Sequence, residues 1–246
     1  VSDAETAQPE QHPSHRPIFS FSRRSGRLTE GQLNSWNTLG PKYLVDVERA
    51  ELDFSVSPSF RVDPAELFGR DAPLIVEVGS GTGEAVVAAA AEHPEWNFLA
   101  VEVFVAGLAR TLRRIEDAGL PNVRLVEANA VEVLEHMLPA GSIEELWIFF
   151  PDPWHKAKHT KRRLVREGFG AVAANALRPG GRMRLATDWE DYAFQMREVL
   201  DAAPEFTSEH PSEWAPRFDG RTLTVFERKA AKAGRRIHDL SYVTAE

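Results

Sequence analysis

The residues best equipped for chemistry in this chain fall in one short run, FFPDPWHKAKHTKRRL, from Phe149 to Leu164. Asp152 stands between Pro151 and Pro153, whose rings fix their own φ and narrow the choices of their neighbours, so one carboxylate is presented with little freedom. A turn in which the aspartate only caps backbone is the plainer reading. Behind it come Lys156, Lys158, Lys161, Arg162, Arg163 and Arg166, with His159 and Thr160 among them and Glu167 as the nearest acid. A cluster of that sign and density suits a polyanion. Trp154 reads first as a lid on the core, and alternatively as a surface for stacking a base. His155 and His159 have the spacing of a helical chelating pair, but no third ligand accompanies them, so no metal is expected.

A second group of acids surrounds a glycine-rich turn. Glu77 and Glu84 flank Gly79, Gly81 and Gly83, where glycine permits tight turning and close backbone approach. Two carboxylates beside a diphosphate would repel it, which disfavours a dinucleotide and a nicotinamide-dependent oxidoreductase. S-adenosylmethionine carries a sulfonium and an ammonium and no phosphate, so it suits an acidic loop. Glu102, about 20 residues on, stands where an acid accepts hydrogen bonds from ribose hydroxyls. Asn129 is placed either to meet an adenine edge or to cap a helix.

These residues need a scaffold that gathers them at one edge. From Pro73 onward short apolar runs alternate with helical stretches: PLIVEVG, NFLAVEV, NVRLVEA, IEELWIFF and GRMRLATD read as strands. Helices are expected after the glycines, over 104–119, 131–138 and 163–177, and at YAFQMREVL, so the basic run would enter the first turn of the 163–177 helix. Cations there oppose the helix dipole, and something other than helix stability must favour them. The pattern predicts an α/β fold: a doubly wound, mostly parallel sheet with helices on both faces, Rossmann-like, whose ligand crevice lies at the carboxyl ends of the strands. Residues 1–17 read as a disordered leader and 18–246 as a single domain, with 18–72 an N-terminal extension bearing Arg23, Arg24 and Arg27 and 73–246 the α/β core with substrate-side strands at its C-terminal end.

The 246 residues carry a net charge of −8, a pI near 5.6 and no cysteine. Disulfides, thiolate metal sites and thiol nucleophiles are thereby excluded. No apolar run approaches the roughly 20 residues that span a bilayer, and no signal peptide is visible, so a cytoplasmic location without membrane contact is expected. The global charge disfavours nucleic acid, yet the positive island after Trp154 is a local exception.

Taken together, PDPW-x-K-x-x-H-x-K-R-R, the acidic glycine loop, Thr187-Asp188-Trp189, T-x-F-E at Thr224 to Glu227 and the N-terminal R-x-G-R-L-T resemble bacterial tRNA (guanine-N7)-methyltransferases of the TrmB type, from about Phe19 to Tyr242. The resemblance implies a class I methyltransferase that uses S-adenosylmethionine to methylate N7 of the variable-loop guanine, position 46, in tRNA. It implies cofactor contacts from Glu77, Glu102 and Asn129, and a catalytic, cofactor-adjacent Asp152. It further implies guanosine contacts from Lys156, Asp188 and Thr224, Val225, Phe226 and Glu227 on substrate-side strands, and an RNA grip from Lys158, His159, Thr160, Lys161, Arg162 and Arg163. Asn129, Val225 and Arg235 depart from the family's commoner residues. A class I methyltransferase acting on a small molecule or protein, and a non-catalytic tRNA-binding module, are the alternatives; the protein would be a monomer or a homodimer.

Overall fold

A computed structural model describes residues 19–21 and 27–245. The expected leader, with Arg23 and Arg24, lies outside them.

Helix α1 (Glu30–Tyr43) opens on a reciprocal capping box between Thr29 and Gln32. The short α2 (Pro64–Phe68) leads to the alternating core: β1 (Leu74–Val78), α3 (Glu84–Glu92), β2 (Asn97–Glu102), α4 (Val105–Ala118), β3 (Val123–Glu127), α5 (Ala130–Glu132) running into a π turn at Val133–Met137, and β4 (Ile143–Phe149). A 3₁₀ segment (Ala157–Arg162) precedes α6 (Phe169–Ala176), β5 (Leu177–Thr187), α7 (Glu190–Asp201), β6 (Phe206–Ser208), α8 (Val225–Lys232) and β7 (His238–Thr244). The strands form one sheet in the order β3-β2-β1-β4-β5-β7-β6, parallel except that β7 pairs antiparallel with both its neighbours.

Strand periodicity sorts the core into two layers. Val76, Val78, Leu146 and Ile148 face one layer, with Val165, Phe169, Tyr192 and Met196 from the helical side. Ile75, Phe98, Trp147 and Phe149 face the other, against α3, α4 and Tyr43 of α1. Because both faces are covered, β1 is buried along its whole length, which is why its sequence is a continuous apolar run broken only by Glu77.

Two segments depart from the sequence reading. The expected 163–177 helix is cut to α6, which starts after Gly168 at φ +85°. Tertiary partners replace the missing helical bonds: the Val165 N–H donates to the Tyr192 hydroxyl at 3.0 Å, and Gln195 donates to the Val165 carbonyl at 3.0 Å. The cations are therefore not in the first turn of an α-helix. The expected strand at Thr224 to Glu227 is instead the start of α8, with Thr224 Oγ1 accepting from the Glu227 N–H at 3.2 Å.

Candidate active site

The carboxyl ends of β1, β2, β3 and β4 carry the glycine loop, Glu102, Asn129 and the Asp152 turn to one edge of the sheet. Gly79, Gly81 and Gly83 all have positive φ, the region where L side chains are strained. A Cβ on Gly107, at the start of α4, would lie 2.2 Å from the Gly81 carbonyl oxygen, so the loop is pressed against bare helix backbone. Glu102 fixes its other side: Oε2 accepts from the Gly81 N–H at 2.8 Å, while Oε1 accepts from Val103 at 2.7 Å and Phe104 at 2.9 Å. Burial pushes the Glu102 carboxyl up; these donors oppose the rise and the negative charge of Asp152 adds to it.

Glu77 is buried, and its Oε2 has no hydrogen-bond partner among the described residues. Burial pushes its pKa up to about 8, against the Val86 N–H of α3 and with Glu102 adding repulsion. An orphaned acceptor beside a tight glycine loop is what a cationic ligand would complete. Glu84, the other acid flanking the loop, is engaged elsewhere. It accepts from the Val225 N–H at 2.6 Å and from Arg228 at 3.1 Å, joining α3 to α8.

Asp152 is exposed and makes no hydrogen bond or ion pair with the described residues. Its turn is bounded by two non-glycine residues in the left-handed region, Phe150 at φ +54° and Trp154 at φ +46°. Such conformations cost about 1–3 kcal/mol each and persist only where surroundings impose them. Here the Phe150 N–H donates to the Ala186 carbonyl at 2.8 Å, and the Trp154 indole donates to the Ser20 carbonyl at 2.9 Å beneath the Arg162 guanidinium, 3.9 Å from the ring. The backbone spends strain to present one free carboxylate.

Residues 71–240 match the methyltransferase family described as "Putative methyltransferase". A tRNA (guanine-N(7)-)-methyltransferase of Paenarthrobacter aurescens (strain TC1) is 45% identical, covering 92% of this chain and 91% of its own. One from Nocardioides sp. (strain ATCC BAA-499 / JS614) is 46% identical over 92% and 87%. The chain belongs to the tRNA (guanine-N7)-methyltransferase family. By fold it resembles the 16S rRNA methyltransferase KamB, with a TM-score of 0.55 at 15% identity over 81% of this chain and 95% of that one. It is an S-adenosylmethionine-dependent methyltransferase, and the Glu77 and Glu102 carboxyl groups beside the glycine loop are consistent with that cofactor.

Within this methyltransferase the remaining expected residues divide by their engagement. Lys156, Lys158 and Lys161 are exposed, as is Arg166; His159 and Thr160 are half-buried beside them. Burial, then Lys158 and Arg162, push the His159 imidazole down, favouring its neutral form. Arg163 is a correction: its side chain is 3% exposed and fully engaged inside the protein, so it offers no surface cation. Arg162 is half-committed, donating to the Phe19 and Phe21 carbonyls at 3.1 Å each.

On the substrate side, Glu227 is 4% exposed and paired with Arg217 at 2.7 Å and Arg221 at 3.3 Å, and Thr224 is the α8 cap. Neither side chain is open to a ligand in this arrangement. Val225 and Phe226 are the exposed members, and Phe226 stacks toward Phe150 at 6.3 Å and sits over Gly81. Asp188 does not cap α7, whose cap residue is Trp189; it accepts from Arg235 at 2.8 Å. The departure at Arg235 thus supplies a partner for Asp188. Asn129 does cap α5, accepting from Val131 at 3.3 Å and donating to Glu132 at 2.7 Å. It borders a cavity of about 300 Å³ together with Phe19, Ser20 and Val131.

Phe150 was not anticipated, because no local signal marks a strand-end phenylalanine as part of a site. The helical start at Thr224 was readable: Thr-x-x-Glu is a capping signature. Among the described residues no acid or histidine cluster is arranged to hold a metal, and no helix is long and apolar enough to cross a membrane.

Proposed function

We propose that this protein transfers the methyl group of S-adenosylmethionine to N7 of the variable-loop guanine, position 46, of tRNA, with Asp152 as the catalytic residue. The observation that carries the reading is the meeting, at one edge of the sheet, of the glycine loop with Glu77 and Glu102, an exposed Asp152 and the exposed lysine run that follows it.

When bound, S-adenosylmethionine supplies an electrophilic methyl group on a cationic sulfur. Glu77 offers its unpartnered oxygen to the ammonium, Glu102 keeps lone pairs for ribose hydroxyls, and Asn129, while capping α5, keeps its second amide N–H for the adenine edge. Gly79, Gly81 and Gly83 allow the approach.

Guanine N7 has an in-plane lone pair and no proton, so no strong general base is required. The protein's task is alignment, which by proximity supplies several kcal/mol. Asp152 serves that task at the crevice mouth, orienting the guanine edge or the cofactor ammonium, and its charge favours the cation that forms on the base. Phe226 and Val225 form an apolar wall for the purine, with Lys156 at its rim. Thr224, Glu227 and Asp188 act from behind this wall by holding α8 and the loop before α7. Lys158, Lys161, His159 and Thr160, aided by Arg162, bind the tRNA backbone.

The test is incubation with unmodified tRNA transcripts and methyl-labelled S-adenosylmethionine, followed by nucleoside analysis. Label is expected in 7-methylguanosine and is expected to vanish when guanine 46 is replaced by adenine. Label on another base or atom would overturn the assignment.

A further inference from the structure

The buried cation of the basic run has a different task from its neighbours. Arg163 reaches across the site's edge with every nitrogen engaged. Its Nε donates to the Pro153 carbonyl at 2.8 Å, Nη1 to the Gln195 side chain at 2.7 Å, and Nη2 to the Asp191 carboxylate at 2.6 Å. The guanidinium also lies over the Tyr192 ring, 4.7 Å from its centre. Pro153 directly follows Asp152, whereas Asp191, Tyr192 and Gln195 belong to the first turns of α7, which begins just past Asp188 and Trp189.

We propose that Arg163 is a positioning residue for methyl transfer: it ties the Asp152 turn to α7 and so fixes the carboxylate relative to the Asp188 side of the site. This rests on the role given to Asp152 above. Neither proline can hold the turn by an N–H, since proline has none, and the Pro153 carbonyl is the handle that Arg163 takes. A charge-assisted hydrogen bond from a planar guanidinium gives direction as well as strength. A lysine keeps the charge but cannot satisfy acceptors in three fixed directions.

The experiment compares Arg163→Lys, Gln195→Met and Asp152→Ala in steady-state methylation and in tRNA binding across salt concentrations. For R163K, kcat is expected to fall about 100-fold, the cost of misplacing a reacting group by about an ångström. Its KM for tRNA, tRNA affinity and salt slope should stay at the wild-type values. Q195M, which removes one of the two α7 anchors and leaves Asp191 as the other, should lower kcat in the same way by a smaller factor, and it decides the matter if R163K does not fold.

Undiminished kcat with weaker tRNA binding and a salt slope lower by about 1 would make Arg163 a phosphate contact and overturn the inference. Wild-type kcat in Q195M would do so as well. Wild-type turnover in D152A would instead remove the role of Asp152, and the task assigned to Arg163 would fall with it.

Discussion

Glu77 shows how one side chain can tie cofactor binding to pH. Its folded-state pKa of about 8 lies above the ordinary value of 4.5, so between those pH values the folded protein holds a proton that the unfolded chain releases. Its contribution to stability is therefore greatest at low pH and is lost as pH rises towards 8, with a limiting slope of about 1.4 kcal/mol per pH unit. If Glu77 meets the cofactor ammonium as proposed, cofactor binding has the opposite dependence, because the ammonium favours the carboxylate. Calorimetric affinity for S-adenosylmethionine is expected to rise from pH 6 to 8 with proton release, and Glu77→Gln is expected to flatten both trends. A wild-type protein with pH-independent affinity over that range would refute the pairing. That Glu77 would be buried was legible from its place inside an all-apolar strand; its unpartnered oxygen was not, since that depends on which donors the folded loop leaves in reach.

At the scale of elements, α8 is held by ion pairs rather than by a large apolar face. Arg221 is fully buried between Glu227 and Asp239, joining the first turn of α8 to β7. Arg221→Met leaves the buried Asp239 carboxylate without its guanidinium and Glu227 with Arg217 alone, and urea denaturation is expected to show a loss of about 3–5 kcal/mol. Loss below about 1 kcal/mol would mean that the pairs are dispensable. The alternation of strands and helices was readable because most of the β-runs are apolar and begin at or next to a glycine, asparagine or proline. The basic segment was misread locally for a physical reason. Lys158 and Arg163 look alike in sequence, and what buries Arg163 is Asp191 and Gln195 on a helix about 30 residues later. Likewise Thr224 to Glu227 reads as a strand by resemblance, although its threonine and glutamate have capping spacing and its structure is helical.

Across the whole molecule, an acidic chain exposes Lys156, Lys158 and Lys161 on the segment that follows Asp152, at the sheet edge that also carries the glycine loop and Glu102. If the two fields have separate tasks, their variants must fail separately. Lys158 and Lys161 changed together to alanine should weaken tRNA binding and lower its salt slope by about 1–2, while the rate at saturating tRNA changes little. Single-turnover methyl transfer by Asp152→Ala, at saturating tRNA and S-adenosylmethionine, tests the central claim most directly. The rate is expected to fall about 10²- to 10³-fold with both ligands still binding near wild-type affinity. A near-normal rate in that variant would contradict the assignment of the reaction to this carboxylate.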